Sequence, residues 1–213
     1  MTTAAAARAP APGFVFLLTL VVAAWAALIT TLAYRSSFVP PADKPQFAII
    51  AAILLPPLLL FVLMRLSAAF RENILALDPV WICAMQGWRV VGSGFLFVHG
   101  FGYLPGSFAY QAGWGDVLVG VLAPFAVMRL ARDPQFITAR AYWLFNALGV
   151  ADLILAPVAA TFIRRGLSGP EAAQQVTPLA EMPLVFIVTF LVPFFLSLHL
   201  IGFAQIRAAR TSS

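Results

Sequence analysis

Long apolar runs alternate along the chain with short polar segments that hold nearly all of the charge. Each run approaches the roughly 20 residues that a helix needs to cross a bilayer. Six spans are predicted: Gly13–Tyr34, Phe47–Leu66, Pro79–Val98, Trp114–Leu130, Arg140–Ile163 and Met182–Ile206. Between the second and third, Leu66-Ser-Ala-Ala-Phe70 followed by Ile74 and Leu75 reads as a short interfacial helix or as the end of span two. Pro56-Pro57, Pro124, Pro157 and Pro193 punctuate the runs. Each removes a backbone donor, and the freed carbonyls need partners inside a bundle. The expected fold is all-α, a polytopic transmembrane helix bundle. Residues 13–207 form its single domain, with short tails at 1–12 and 208–213.

Composition supports this. Hydrophobic residues make up 62% of the 213 and charged residues 10%, against about 25% charged in a soluble domain. The net charge of +5 does not indicate nucleic-acid binding, because the basic residues sit singly or in pairs at the ends of apolar runs. With both termini inside, eight of them (Arg8, Arg65, Arg71, Arg129, Arg132, Arg140, Arg207, Arg210) lie on the inner side and four (Arg35, Lys44, Arg164, Arg165) on the outer. The expected orientation is therefore N-in and C-in. Ala24-Trp25-Ala26 has the look of a signal-peptidase site, but the apolar run continues through Ile29 and Leu32, which favours an uncleaved first span. Cys83 is the only cysteine, so no intrachain disulfide forms.

Arg89 changes the picture. It lies near the middle of span three, where a guanidinium costs about 2.5–3.5 kcal/mol on insertion scales. Helical spacing of three and four aligns Gln86, Arg89, Ser93 and Gly100, with Gly92 alongside. Span five carries a matching stripe of Tyr142, Asn146, Gly149, Asp152 and Ala156. At 1.5 Å per residue Arg89 lies roughly 15 Å, and Asp152 roughly 18 Å, from the inner ends of their spans. Asp152 is the expected counter-charge. The stripe, Gln86, Arg89, Ser93, Asn146 and Asp152, reads as a ligand or ion pathway for a small polar or anionic ligand, or as a device that fixes helix register. Asp116, Tyr103 and His99 are placed near the outer mouth. The glycine- and aromatic-rich segment from His99 to Asp116 reads as a re-entrant lid or as flexible turns at an aromatic belt. His199, in the inner half of span six, reads as a packing hydrogen-bonder.

Other chemistry is missing from the sequence. No metal-ligand spacing, phosphate-binding loop, HExxH or cysteine pair is present, and no cofactor is predicted. Gly92-Ser93-Gly94 has no histidine partner at matching depth. Lys44, the sole lysine, lies outside every span, which excludes a Schiff base within the bundle.

Several fragments together carry a family resemblance: Gln86-x-x-Arg89-x-x-Gly92, Leu104-Pro105-x-x-Phe108-Ala109, Ala112-Gly113-x-Gly115-Asp116-x-x-Val119-Gly120, Asn146-x-x-Gly149-x-x-Asp152-Leu153, and Phe190-x-Val192-Pro193 leading to Leu198-His199. They resemble a family of uncharacterised bacterial multi-spanning membrane proteins, over about Gln86 to His199. The resemblance implies a multi-pass protein of the bacterial cytoplasmic (inner) membrane and carries no activity. A looser similarity to DoxX-type membrane proteins rests on Arg89 and His99-Gly100. Three functional readings follow: a small-solute or ion transporter or ligand-binding membrane protein, an accessory or assembly subunit with membrane-protein partners or further copies of itself, and, weakest, an intramembrane enzyme.

Overall fold

The computed structural model describes residues 9–39 and 46–211. Arg8 and Lys44, counted above among the topology signals, lie outside the described residues, as do the ends of both tails. In chain order the helices are α1 (Pro12–Tyr34), α2 (Phe47–Leu66), α3 (Ala68–Leu75), α4 (Pro79–Gly100), α5 (Gly106–Arg132), α6 (Arg140–Arg164), α7 (Pro170–Gln175) and α8 (Leu184–Thr211). No strand occurs among the described residues. α1, α2, α5, α6 and α8 are each long and apolar enough to cross a membrane, and α3 with α4, bent by 75° at their junction, make a sixth candidate.

The bend between α3 and α4 is built locally. Ser67 caps α3 by accepting from the Phe70 N–H at 3.2 Å, and Asp78 caps α4 by accepting from the Val80 N–H at 2.8 Å, with Pro79 at the first helical position. Gln205 of α8 then donates through Nε2 to the carbonyls of Leu75 and Leu77, at 3.3 and 2.6 Å. Of the two readings of the segment after span two, a short helix of its own is what the structure has, pinned by the far end of the chain.

Two expected boundaries are corrected. The fourth span starts at Gly106, not Trp114, so the segment read as a lid or loop is mostly helix. Glycines suggest loop by propensity, but here they let helices approach. A methyl on Gly113 would meet Leu96, and one on Gly120 would meet Val90 and the Gly87 carbonyl. The last span runs from Leu184 to Thr211 and includes a π-helical stretch at Ile187–Leu191.

α8 lies at the centre and α1 at the edge. Half of the most apolar stretch of α8 is buried, against 6% of that in α1. α1 buries only Ile29 and Ala33, and Trp25 packs on Phe190 with ring centroids 4.7 Å apart. After α6 the chain folds back through α7 and a 3-10 turn at Thr177–Ala180. Val176, Leu179 and Ala180 are buried there; Val176 and Leu179 pack with Leu104, Phe108 and Ile163 in a small apolar cluster.

Candidate functional site

The middle of α4, Gln86–Gly92, winds as a 3-10 helix. Three residues per turn stack positions i and i+3 on one face. That face is Gln86, Arg89 and Gly92, the three buried residues of the segment, while Trp88, Val90 and Val91 are exposed. The winding corrects the expected stripe. Ser93 is only half-buried and Gly100 is exposed, because a 3-10 turn advances each residue further round the axis than an α-turn.

Arg89 is 1% exposed. Its Nε donates to Asp116 Oδ1 at 2.7 Å and its Nη2 to Asp152 Oδ2. Nη1 donates to the Gly149 carbonyl at 3.2 Å and lies 3.3 Å from His199 Nε2. A guanidinium only donates, so His199 Nε2 accepts. The ring proton then sits on Nδ1 and is donated to Asn146 Oδ1 at 3.0 Å, while Asn146 Nδ2 donates to the Tyr142 carbonyl at 2.9 Å. The directions agree along the whole chain from Arg89 to Tyr142, and they make His199 the neutral Nδ1–H tautomer.

Four polar side chains around Arg89 each lie over a glycine of a neighbouring helix. A methyl on Gly92 would collide with Asp116, on Gly115 with Asp152, on Gly149 with His199 and on Gly202 with Asn146. Four glycines on four helices thus make the room in which the charges meet.

The charges do not balance. One guanidinium faces two carboxylates and a neutral imidazole, a formal sum of −1. Arg89 uses one oxygen of each carboxylate. The other two, Asp116 Oδ2 and Asp152 Oδ1, accept no hydrogen bond among the described residues. Both aspartates line a cavity of about 60 Å³ whose other walls are mostly apolar, including Ile49, Ile53, Phe95, Phe108, Leu153 and Val192, with Gln46 and Thr161 besides. Asp116 also borders a second cavity of about 10 Å³, between the 3-10 face of α4 and the π-helical stretch of α8. By volume the first holds roughly four to six waters and the second about one.

The sequence-derived residues fall into two groups. Arg89, Asp152 and Asn146 come together in the cluster, and Gln86 lies one 3-10 turn from Arg89, donating to the Phe195 carbonyl at 3.2 Å. Ser93 takes no part in these hydrogen bonds. Asp116 is corrected from the outer mouth to the centre: α5 begins ten residues before it, so it is well inside the helix. His199, read as a packing residue, also belongs to the cluster. His99 and Tyr103 are elsewhere. His99 Nδ1 donates to the Leu104 carbonyl at 2.8 Å, and Nε2 accepts from Tyr110 Oη at 3.2 Å, closing the α4–α5 turn. Tyr103 is exposed.

Residues 46–207 match the model of a protein family described as a domain of unknown function, DUF8737. The match begins forty residues before the fragments that carried the resemblance and takes in α2, which they did not. Neither the curated proteins nor the solved structures contain a match to the chain.

Proposed function

The chain belongs to the DUF8737 family, and from that premise we propose that it is a small-solute or ion transporter of the bacterial cytoplasmic membrane, working through proton or cation exchange at Asp116 and Asp152. The observation that carries the proposal is the charge count: two buried carboxylates share one guanidinium beside a cavity. An uncompensated charge is expensive in a low-dielectric interior. The cluster therefore holds a proton or a cation, and exchanging one for the other is the elementary step of coupled transport. The anionic ligand suggested by Arg89 alone fits this reading less well. The guanidinium is sealed and already faces four acceptors, whereas the carboxylates face the cavity. Asp116 borders both cavities and is the natural point of transfer. In this proposal both termini are cytoplasmic.

The test uses proteoliposomes loaded with a pH-sensitive dye and challenged with a panel of small cations and neutral solutes. Wild-type protein is expected to move protons with at least one of them. Asp152→Asn keeps the shape and some hydrogen bonding to Arg89 but removes the charge, and is expected to be stable and inactive. A destabilised Asp152→Asn, or a stable and fully active one, would return the cluster to a helix-packing role.

A second reading, an accessory or assembly subunit, draws on α1, which buries only two residues against the bundle. Native mass spectrometry of the gently solubilised protein tests it: a stoichiometric partner lost on deletion of α1 supports it, and a monomer retaining only lipid opposes it.

A further inference from the structure

We propose that the larger cavity binds a small organic cation, a protonated amine with a short hydrocarbon body, whose N–H donors reach Asp116 Oδ2 and Asp152 Oδ1. The inference rests on the exchange reading above and names the ligand class that the site takes. Two observations lead to it. Asp116 and Asp152 are each 8% exposed, yet each gives Arg89 only one oxygen. The second oxygen of each has no donor from the protein, and the side chains keep about a tenth of their surface accessible beside the cavity. Behind the carboxylates the walls are hydrocarbon: Ile49 and Ile53 from α2, Phe95 from α4, Phe108 from α5, Leu153 from α6 and Val192 from α8. Such walls offer a bare, hydrated inorganic ion nothing in exchange for its water, because hard cations need several oxygen ligands. They suit an apolar body attached to a charged head. The far end of the lining, beyond the reach of a short body, is less apolar. The lining also includes Gln46 and Thr161, the latter nine residues along α6 from Asp152, or roughly 13 Å at helical rise.

Size narrows the class. About 60 Å³ of free volume corresponds to roughly four to six water-sized groups. An alkylammonium of that many heavy atoms fits the carboxylate end of the cavity. Binding such a cation restores neutrality to the cluster. If a proton occupied the carboxylate pair beforehand, it leaves as the ammonium arrives, one proton out for one cation in.

Butylammonium is the probe, titrated calorimetrically into the full chain in lipid nanodiscs, with butanol, butyrate and potassium ion as matched controls. Repeating the titration in buffers of different ionisation enthalpy counts the protons released. The expected result is that butylammonium binds at least about tenfold more tightly than any control and releases up to one proton. Asp152→Asn should weaken it, and so should Ala156→Phe, which fills the cavity one helical turn from Asp152. Thermal unfolding of each variant confirms that it is folded, and Ala160→Phe stands in for Ala156→Phe if that variant does not fold. Butyrate or butanol binding as tightly as butylammonium overturns the inference, as does potassium binding unaffected by Ala156→Phe. The two levels separate cleanly. Failure of butylammonium, with Asp152-dependent proton movement driven by another solute, removes the amine and leaves the exchange site. Loss of proton movement with every solute removes the exchange reading itself.

Discussion

Asp116 and Asp152 lie on different helices and share a single guanidinium, with Arg89 donating from Nε to one and from Nη2 to the other. This geometry makes α5 and α6 both dependent on α4. It also sets the charge deficit on which the functional reading stands.

Removal of Arg89 should therefore be worse than removal of the whole charge group. Arg89→Ala strands two carboxylates, and breaking a buried pair in this way costs about 3–5 kcal/mol. The triple change Arg89→Ala, Asp116→Ala and Asp152→Ala removes the charges together. Thermal unfolding in detergent should rank wild type above the triple variant and the triple variant above Arg89→Ala. Additive losses would mean that the three groups are not coupled.

The glycine seats give a sharper contrast. Gly→Ala within a helix ordinarily stabilises by about 0.5–1 kcal/mol. Gly94→Ala should follow that rule, since nothing lies within 4 Å of the added carbon. Gly149→Ala should do the opposite, because the methyl would occupy the position of the His199 ring. Opposite signs in the two melting shifts are expected, with a loss of about 2 kcal/mol or more at Gly149, within the range for overpacking.

The tautomer of His199 is open to direct measurement. Imidazole nitrogen chemical shifts from selectively labelled protein should show a protonated Nδ1 and an unprotonated Nε2, as acceptance from Arg89 requires. Asn146→Leu removes the Nδ1–H acceptor. It should cost about 1–3 kcal/mol for the orphaned donor and broaden the nitrogen signals as the tautomers mix. An Nε2–H signal in the wild-type protein would reverse the assigned direction of the whole hydrogen-bond chain.

Orientation can be checked independently of the site. Eight basic residues against four favour cytoplasmic termini. A reporter active only in the cytoplasm should work when fused after Ser213, and one active only in the periplasm should not. The reverse result would invert the direction of any coupled flux.

The sequence by itself determined the helical character of the chain and the places where most of the helices long and apolar enough to cross a membrane lie. α1, α2 and α6 begin and end within one residue of the bounds read from hydropathy. That information is local: in a bilayer every backbone polar group is satisfied within its own helix, so the apolar length alone marks a span. The need for a counter-charge to Arg89, and Asp152 as its candidate, were legible for the same reason. What only the tertiary structure decided is who else meets Arg89. Asp116 looked peripheral because Gly106–Gly115 reads as loop by propensity, and it becomes central because those glycines face other helices. The 3-10 winding of Gln86–Gly92 turns Ser93 out of the stripe and Gly92 into it, bringing Gly92 against Asp116. His199 enters because α8 runs through the middle of the bundle beside Gly149. These are matters of close approach between helices distant in sequence. Van der Waals fit at glycine and the pairing of buried charge select one packing among many, and hydropathy is nearly the same for all of them.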